Sequence, residues 1–358
     1  MTIFARLIIA EEDGVRRFLY PMNVEIPFRK NETLLVAVKD EEGNLLPSEA
    51  YYSRGKAKVY FAVSLQPYEK RKLTIFKSEL KASVPDPIQC ECPEDGSVIC
   101  RQERIATTLL PNSDIGSVVY DGIEHLAAPI TFTLNAEQPD EDVVRLKSSG
   151  RELTFQASAK RYYEANDRFC QTDIALTACK SWVEIQHMVE EPAAGSVISL
   201  DIPLAPPTDL ETPVCDFGLG NGVYSKIDGD GVMLEADFYG KKPYCCWQVS
   251  RLTEGIQRID YQGDAVTIKM LAQRLYFHWI LPQRSIAVVM TQLPPSISHF
   301  QAILGRSGRL HISVVLGEAP VRRATIGAVL HFLNDVPAAA AATNPASIVS
   351  PPKIIIKT

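Results

Sequence analysis

Apolar residues along this chain recur at every second position or in short unbroken β-branched runs, and helical spacing sustained over a dozen residues is hard to find. Early runs of this kind are Ala5–Ala10, Met22–Pro27, Leu34–Lys39, Lys58–Leu65 and Lys72–Lys77. Between them, Asp40-Glu41-Glu42-Gly43-Asn44 and Ser53-Arg54-Gly55 supply the Gly and Asn that tolerate positive φ in turns. The spacing predicts a small β-barrel or sandwich over residues 1–82. Prolines and turn residues then cluster in Ala82-Ser83-Val84-Pro85-Asp86-Pro87 and Pro93-Glu94-Asp95-Gly96, which predicts a linker over 83–100. Strand signals resume at Ile115–Tyr120 and its hairpin-type Asp121-Gly122. They continue through Ala128–Leu134, Leu153–Lys160, Thr172–Ala178, Trp182–Val189, Val197–Pro203, Val232–Tyr239, Cys245–Ser250, Ala265–Met270, Leu275–Leu281, Ser285–Met290 and Leu310–Leu316. That series predicts a large antiparallel β-sandwich over 101–320, supersandwich-like in size, in an all-β protein. The remainder, 321–358, reads as a C-terminal segment and tail, with Ala324–Leu333 compatible with either a short helix or a strand.

A length of 358 residues exceeds one ordinary core, in keeping with two domains. A composition 46% hydrophobic and 22% charged excludes a disordered or fibrous chain. The formal net charge of −6 argues against a dedicated nucleic-acid binder, which needs clustered Lys and Arg to displace counterions. The start, MTIFARLIIAEEDGVRR, has too short an apolar stretch for a secretion signal, and no apolar run approaches the roughly 20 residues that span a bilayer. A cytoplasmic protein without a membrane partner is the expectation. Of the eight cysteines, most sit in apolar runs where a thiol packs as a small hydrophobe. Cys90, Cys92 and Cys100 alone resemble a ligand cluster. Without a nearby His they form an incomplete zinc set, so no metal is expected and unligated thiols or a local disulfide remain open.

Three patterns carry a family resemblance. Glu25-Ile26-Pro27-Phe28, then Val38-Lys39-Asp40-Glu41-Glu42-Gly43, then Lys56–Phe61, resemble the small N-terminal barrel of rhamnogalacturonan-exolyase-like proteins. Asp114-Ile115-Gly116-Ser117-Val118-Val119-Tyr120-Asp121-Gly122 is similar to the hairpin that opens the large sandwich of many polysaccharide lyases and mannosidase-like hydrolases. Ala178-Cys179-Lys180-Ser181-Trp182-Val183-Glu184-Ile185-Gln186-His187 resembles a further strand of such domains. The resemblance covers residues 1 to about 330 and implies a carbohydrate-processing context. The sequence departs from these families in lacking the helical α/α-toroid that their catalytic members carry, which puts an active site shared with that toroid in doubt.

Three constellations carry chemistry. Alternation along Trp182–Val189 places Trp182, Glu184 and Gln186 on one face, where a ring can stack on pyranose C–H groups while polar neighbours take hydroxyls; the same face would also suit a sheet–sheet contact. His187 falls on the opposite, apolar face and reads as a core residue. Arg274, Tyr276 and His278 alternate onto one face, with the cation, acid and base that a uronate lyase needs around an enolate-like transition state, although a solvated strand face would look the same. Arg161 and Tyr162, with Arg168 beyond the turn, form a basic, aromatic hairpin end that could grip an anionic glycan or simply be solvated. Gly218-Leu219-Gly220-Asn221-Gly222 lacks the strand–helix context of a dinucleotide site, and Asp228-Gly229-Asp230-Gly231 reads as a hairpin turn. No cofactor motif is present. The expected function is a glycan binder or a subunit of a carbohydrate-processing system, possible as a homo-oligomer or with a partner subunit. A compact lyase or glycosidase and a non-catalytic assembly protein are the alternatives.

Overall fold

The computed structural model describes residues 2–28, 35–53, 55–78, 82–112, 114–140, 147–150, 152–206, 214–216, 223–228, 231–236, 249–251, 256–272, 276–281, 284–305, 307–333 and 351–357. Nearly all regular structure is antiparallel β, as the alternation predicts. A five-stranded sheet in the order Lys353–Lys357, Ile3–Ala10, Lys70–Ser78, Leu35–Lys39, Leu45–Leu46 accompanies a three-stranded sheet of Arg17–Pro27, Lys56–Leu65 and Ser48–Ser53. Their inward positions, among them Leu7, Ile9, Val24, Ile26, Val38, Val59, Phe61 and Ile75, make one small core.

The larger core lies within a sandwich. One layer is a nine-stranded sheet whose middle runs Thr154–Tyr163, Arg168–Thr177, Trp182–Glu190, Arg323–Leu333, Arg284–Gln292, Tyr276–Leu281. The facing layer is a five-stranded sheet: Thr131–Leu134, Val197–Pro203, Arg309–Val315, His299–Gly305, Ile256–Gln262. Phe132 of the facing layer stacks on His187 of the large sheet at 4.4 Å, which fixes the contact between them. Strand Val223–Asp228 pairs with Gly231–Ala236 in a register that joins Asp228 to Gly231. Among the described residues no helix is long and apolar enough to cross a membrane.

Three expectations are corrected. The stretch 83–100 contains the strands Gln89–Glu91 and Val98–Arg101, which extend a third sheet of five strands, and Val84, Ile88, Val98 and Cys100 are buried in the large core. The C-terminal segment divides: Arg323–Leu333 is a strand at the centre of the large sheet, while Lys353–Lys357 returns to the small domain and pairs with Ile3–Ala10. Ala265–Met270 is helical, within Ala265–Ala272. Its start is capped by Asp264, whose carboxylate accepts from the Val266 amide at 3.0 Å, and the Ala, Lys, Met and Leu in it outweigh its β-branched residues.

His187 is fully buried and satisfied, as the sequence predicts for a core position: Nε2 lies 2.9 Å from the Tyr163 hydroxyl and Nδ1 3.0 Å from Thr172 Oγ1. Burial, with a contribution from the Arg161 charge, pushes its pKa down to about 3. The unfolded chain therefore takes up a proton that the folded chain refuses. This share of stability is whole above about pH 6.5 and is lost as pH falls from there, at up to ~1.4 kcal/mol per pH unit. Urea denaturation between pH 7 and 5 is expected to show that slope and His187→Gln to reduce it; an unchanged slope would contradict a neutral buried imidazole.

Candidate functional site

The small domain sits on the outer face of the large sheet. Along Trp182–Glu190 the period of two sends Val183, Ile185, His187 and Val189 into the large core. Trp182, Glu184 and Gln186 share the outer face, as alternation predicts. Trp182 and its neighbour Val329 belong to the small domain's own core, with Tyr20 meeting the indole edge-on at 6.4 Å. A second joint is polar. The buried Glu49 carboxylate of the small domain accepts from the amides of Leu153 at 3.1 Å and Thr154 at 3.0 Å, from the Thr154 hydroxyl, and from Tyr51 at 3.0 Å. Lys180 donates across the same boundary to the Phe18 carbonyl while its ammonium lies 4.9 Å from the Trp182 ring; burial pushes its pKa down to about 8.

Between these joints the two surfaces do not close, leaving a cavity of about 320 Å³. Its floor is the outer face of the large sheet: Thr154, Gln156, Thr177, Trp182, Glu184, Gln186 and Thr291. Its roof is Tyr20–Asn23 with Lys58 and Tyr60 from the small domain. Gly327 pairs directly with Gln186 in the sheet, and a Cβ there would stand 2.9 Å from Thr291 Oγ1 and 3.3 Å from Gln186 Cγ. The missing side chain is what lets both polar groups line the floor.

One polar group here is left unsatisfied by the described residues. Trp182 is 6% exposed, yet its Nε1–H has no acceptor among the described residues. Burial alone pushes the Glu184 carboxyl above the ordinary carboxylate range. Tyr20 is pushed up to about 12, by burial first and then by Glu184, against the opposing Arg17 charge. Gln156 donates to the Tyr60 hydroxyl at 3.3 Å, and Lys58 lies 5.0 Å from the Tyr60 ring. An apolar ring ringed by amides, hydroxyls and one ammonium can pack and hydrogen-bond a polyhydroxylated ligand. Glu184 is the one carboxylate among the described residues of the lining.

Sequence reasoning finds the floor strand but misses Gln156 and Gly327, which long-range strand pairing brings beside it, and Tyr20, Lys58 and Tyr60, which the docking of the domains places over it. It also misplaces Arg161. Alternation in Thr154–Tyr163 turns Arg161 inward, where it is buried and pairs with Asp114 at 2.9 Å, rather than leaving it on a solvated hairpin end. Tyr162 donates to Asp167, and Arg168 is held by the carbonyls of Glu191 at 2.6 Å and Asp167 at 2.7 Å. These three do not form one cluster. Arg274 lies outside the described residues, as do the side chains of Tyr276 and His278; Phe277, Trp279 and Leu281 fill the core on the opposite face of their strand. The stretch 218–222 is likewise outside the described residues. A second groove crosses the outer face of the facing sheet, where Asp201 accepts from Arg309 at 3.1 Å and lies 3.0 Å from His311 Nδ1. Its charged groups already satisfy one another. No group of three His, Cys, Asp or Glu side chains suited to a metal occurs among the described residues.

The fold thus belongs to the class in which a small β-domain rests on a large β-sandwich. No protein-family model matches the sequence, and no curated protein matches it. Among solved structures it is similar to an α-mannosidase from Enterococcus faecalis V583, with a TM-score of 0.60 and 8% identity over 99% of this chain and 46% of that one. It is also similar to a glycosyl hydrolase family 38 protein from Enterococcus faecalis, with a TM-score of 0.57 and 8% identity over 99% and 47%. The chain therefore spans about half the length of each. What is shared is the β-domain fold, in line with the mannosidase-like side of the sequence resemblance; neither structure is a rhamnogalacturonan lyase.

Because Glu184 holds its proton more tightly folded than unfolded, its ionised form opposes folding at pH values above its raised pKa. Glu184→Gln is expected to raise the urea midpoint at pH 7, with the gain shrinking as acid protonates the wild-type carboxyl. A lowered midpoint would mean that the carboxylate has a stabilising partner.

Proposed function

We propose that the chain is a carbohydrate-binding β-protein whose cleft between the small domain and the large sheet receives a glycan. The observation that carries this reading is the cavity floor itself: a buried Trp182 whose Nε1–H has no acceptor among the described residues, beside Glu184 and Gln186, the latter paired with Gly327. Such a floor suits a sugar whose hydroxyls are taken by the indole N–H, the amides and the carboxyl. The shared fold with a glycosyl hydrolase family 38 protein and an α-mannosidase agrees with a carbohydrate context. A single carboxylate among the described lining residues supports binding over hydrolysis, which calls on a pair.

A glycan array followed by calorimetry on its best ligand tests this. Gln186→Ala and Gln156→Ala, neither of which belongs to a core, are each expected to weaken binding about tenfold, the loss of ~1.4 kcal/mol, with the unfolding midpoint unchanged. Trp182→Ala is expected to abolish binding but also to loosen the small domain. Absence of any bound glycan, or affinity indifferent to both glutamines, would contradict the proposal.

A further inference from the structure

Cys90 and Cys100 stand directly opposite one another on adjacent antiparallel strands, Gln89–Glu91 and Val98–Arg101, with their sulfurs 3.2 Å apart as free thiols. Directly opposed residues on antiparallel strands have Cα separations of about 4.5–5.5 Å, inside the roughly 4.4–6.8 Å that a disulfide spans. A bond therefore needs side-chain rotation and no backbone movement. Cys90 is exposed, on an edge strand where an oxidant can reach it, and Cys100 is buried behind it. Cys92, also exposed, lies two residues along from Cys90 and has no cysteine opposite it in the strand pairing, and two further cysteines are differently placed. Cys170 is buried on the large sheet with its pKa pushed up to about 12, and Cys179, pushed up by burial to about 11, donates to the Pro85 carbonyl.

We infer that Cys90 and Cys100 form a reversible, peroxide-driven disulfide that clasps the edge strand Gln89–Glu91 to the third sheet. The Cys90 sulfur attacks one peroxide oxygen, breaking the O–O bond; with the thiol proton this gives a sulfenic acid and water. The Cys100 sulfur then attacks the Cys90 sulfur, the S–O bond breaks, and the hydroxyl leaves as a second water with the Cys100 proton. Two thiols have lost two electrons and two protons, and the peroxide has become two waters. The order follows from access and from acidity: the hydrogen bond from Cys100 holds the Cys90 thiol below its ordinary value, and the same bond pushes Cys100 up. The clasp closes the turn around Pro93–Gly96 just past Val84 and Ile88, which are buried in the large core.

The test treats the native full chain with hydrogen peroxide, alkylates the remaining thiols, and maps the digest by mass spectrometry. A peptide pair linked through Cys90 and Cys100, reversible by dithiothreitol, is expected while Cys170 and Cys179 stay alkylatable. Cys92→Ser should leave the link intact, and Cys100→Ser should leave a sulfenic acid on Cys90 that a dimedone probe traps. Amide exchange in Gln89–Glu91 should slow at least tenfold on oxidation. Alkylatable Cys90 and Cys100 after treatment, a Cys90–Cys92 link in their place, or over-oxidation without linkage would each overturn the disulfide; unaltered exchange would overturn the clasp.

Discussion

Everything in this fold depends on covering both faces of one nine-stranded sheet. Its inner face is closed by the facing sheet around Phe132 and His187, and part of its outer face by the small domain around Trp182 and Val329. A single strand, Trp182–Glu190, serves both contacts, because successive side chains point to opposite faces. A slip of one residue would exchange Trp182 for Val183 and put Glu184 and Gln186 into the large core, where each would lose water without a partner. The chain's two ends reinforce this arrangement: Arg323–Leu333 pairs with that strand, and Lys353–Lys357 pairs with Ile3–Ala10 in the domain above it.

Incomplete closure between the two surfaces produces the cavity. Trp182 and Glu49 bind the domains at separate points, and the sheet between them keeps polar residues where a tightly packed interface would carry apolar ones. A carboxyl raised by burial and an indole N–H with no acceptor among the described residues each cost stability. These are the groups that the proposed glycan would satisfy. The Asp201, Arg309 and His311 groove on the opposite side has ample volume but leaves no comparable group waiting, since its charges are mutually paired.

The all-β architecture is legible in the sequence because alternation over five to ten residues is a strong local signal, and the Trp182, Glu184, Gln186 face is legible for the same reason. Where local signals are short or mixed the reading fails. Gln89–Glu91 and Val98–Arg101 are three and four residues long between prolines and glycine, so turn chemistry masks them. Val266 and Ile268 give a β-branched cast to what Asp264 caps as a helix. Arg161 shows a subtler failure: its charge suggests solvent, but the alternation of its strand directs it inward to a partner, Asp114, far away in sequence. The cavity roof, from Tyr20 to Tyr60, follows from domain docking and has no local signature.

The most direct test of the two-faced sheet and its cleft is hydrogen-exchange mass spectrometry with and without a saturating oligosaccharide identified on the array. The account predicts new protection confined to Trp182–Glu190, to the start of Thr154–Tyr163, and to the Arg17–Pro27 and Lys56–Leu65 strands above them. Protection appearing instead along Arg309–Val315, or none in Trp182–Glu190, would contradict it.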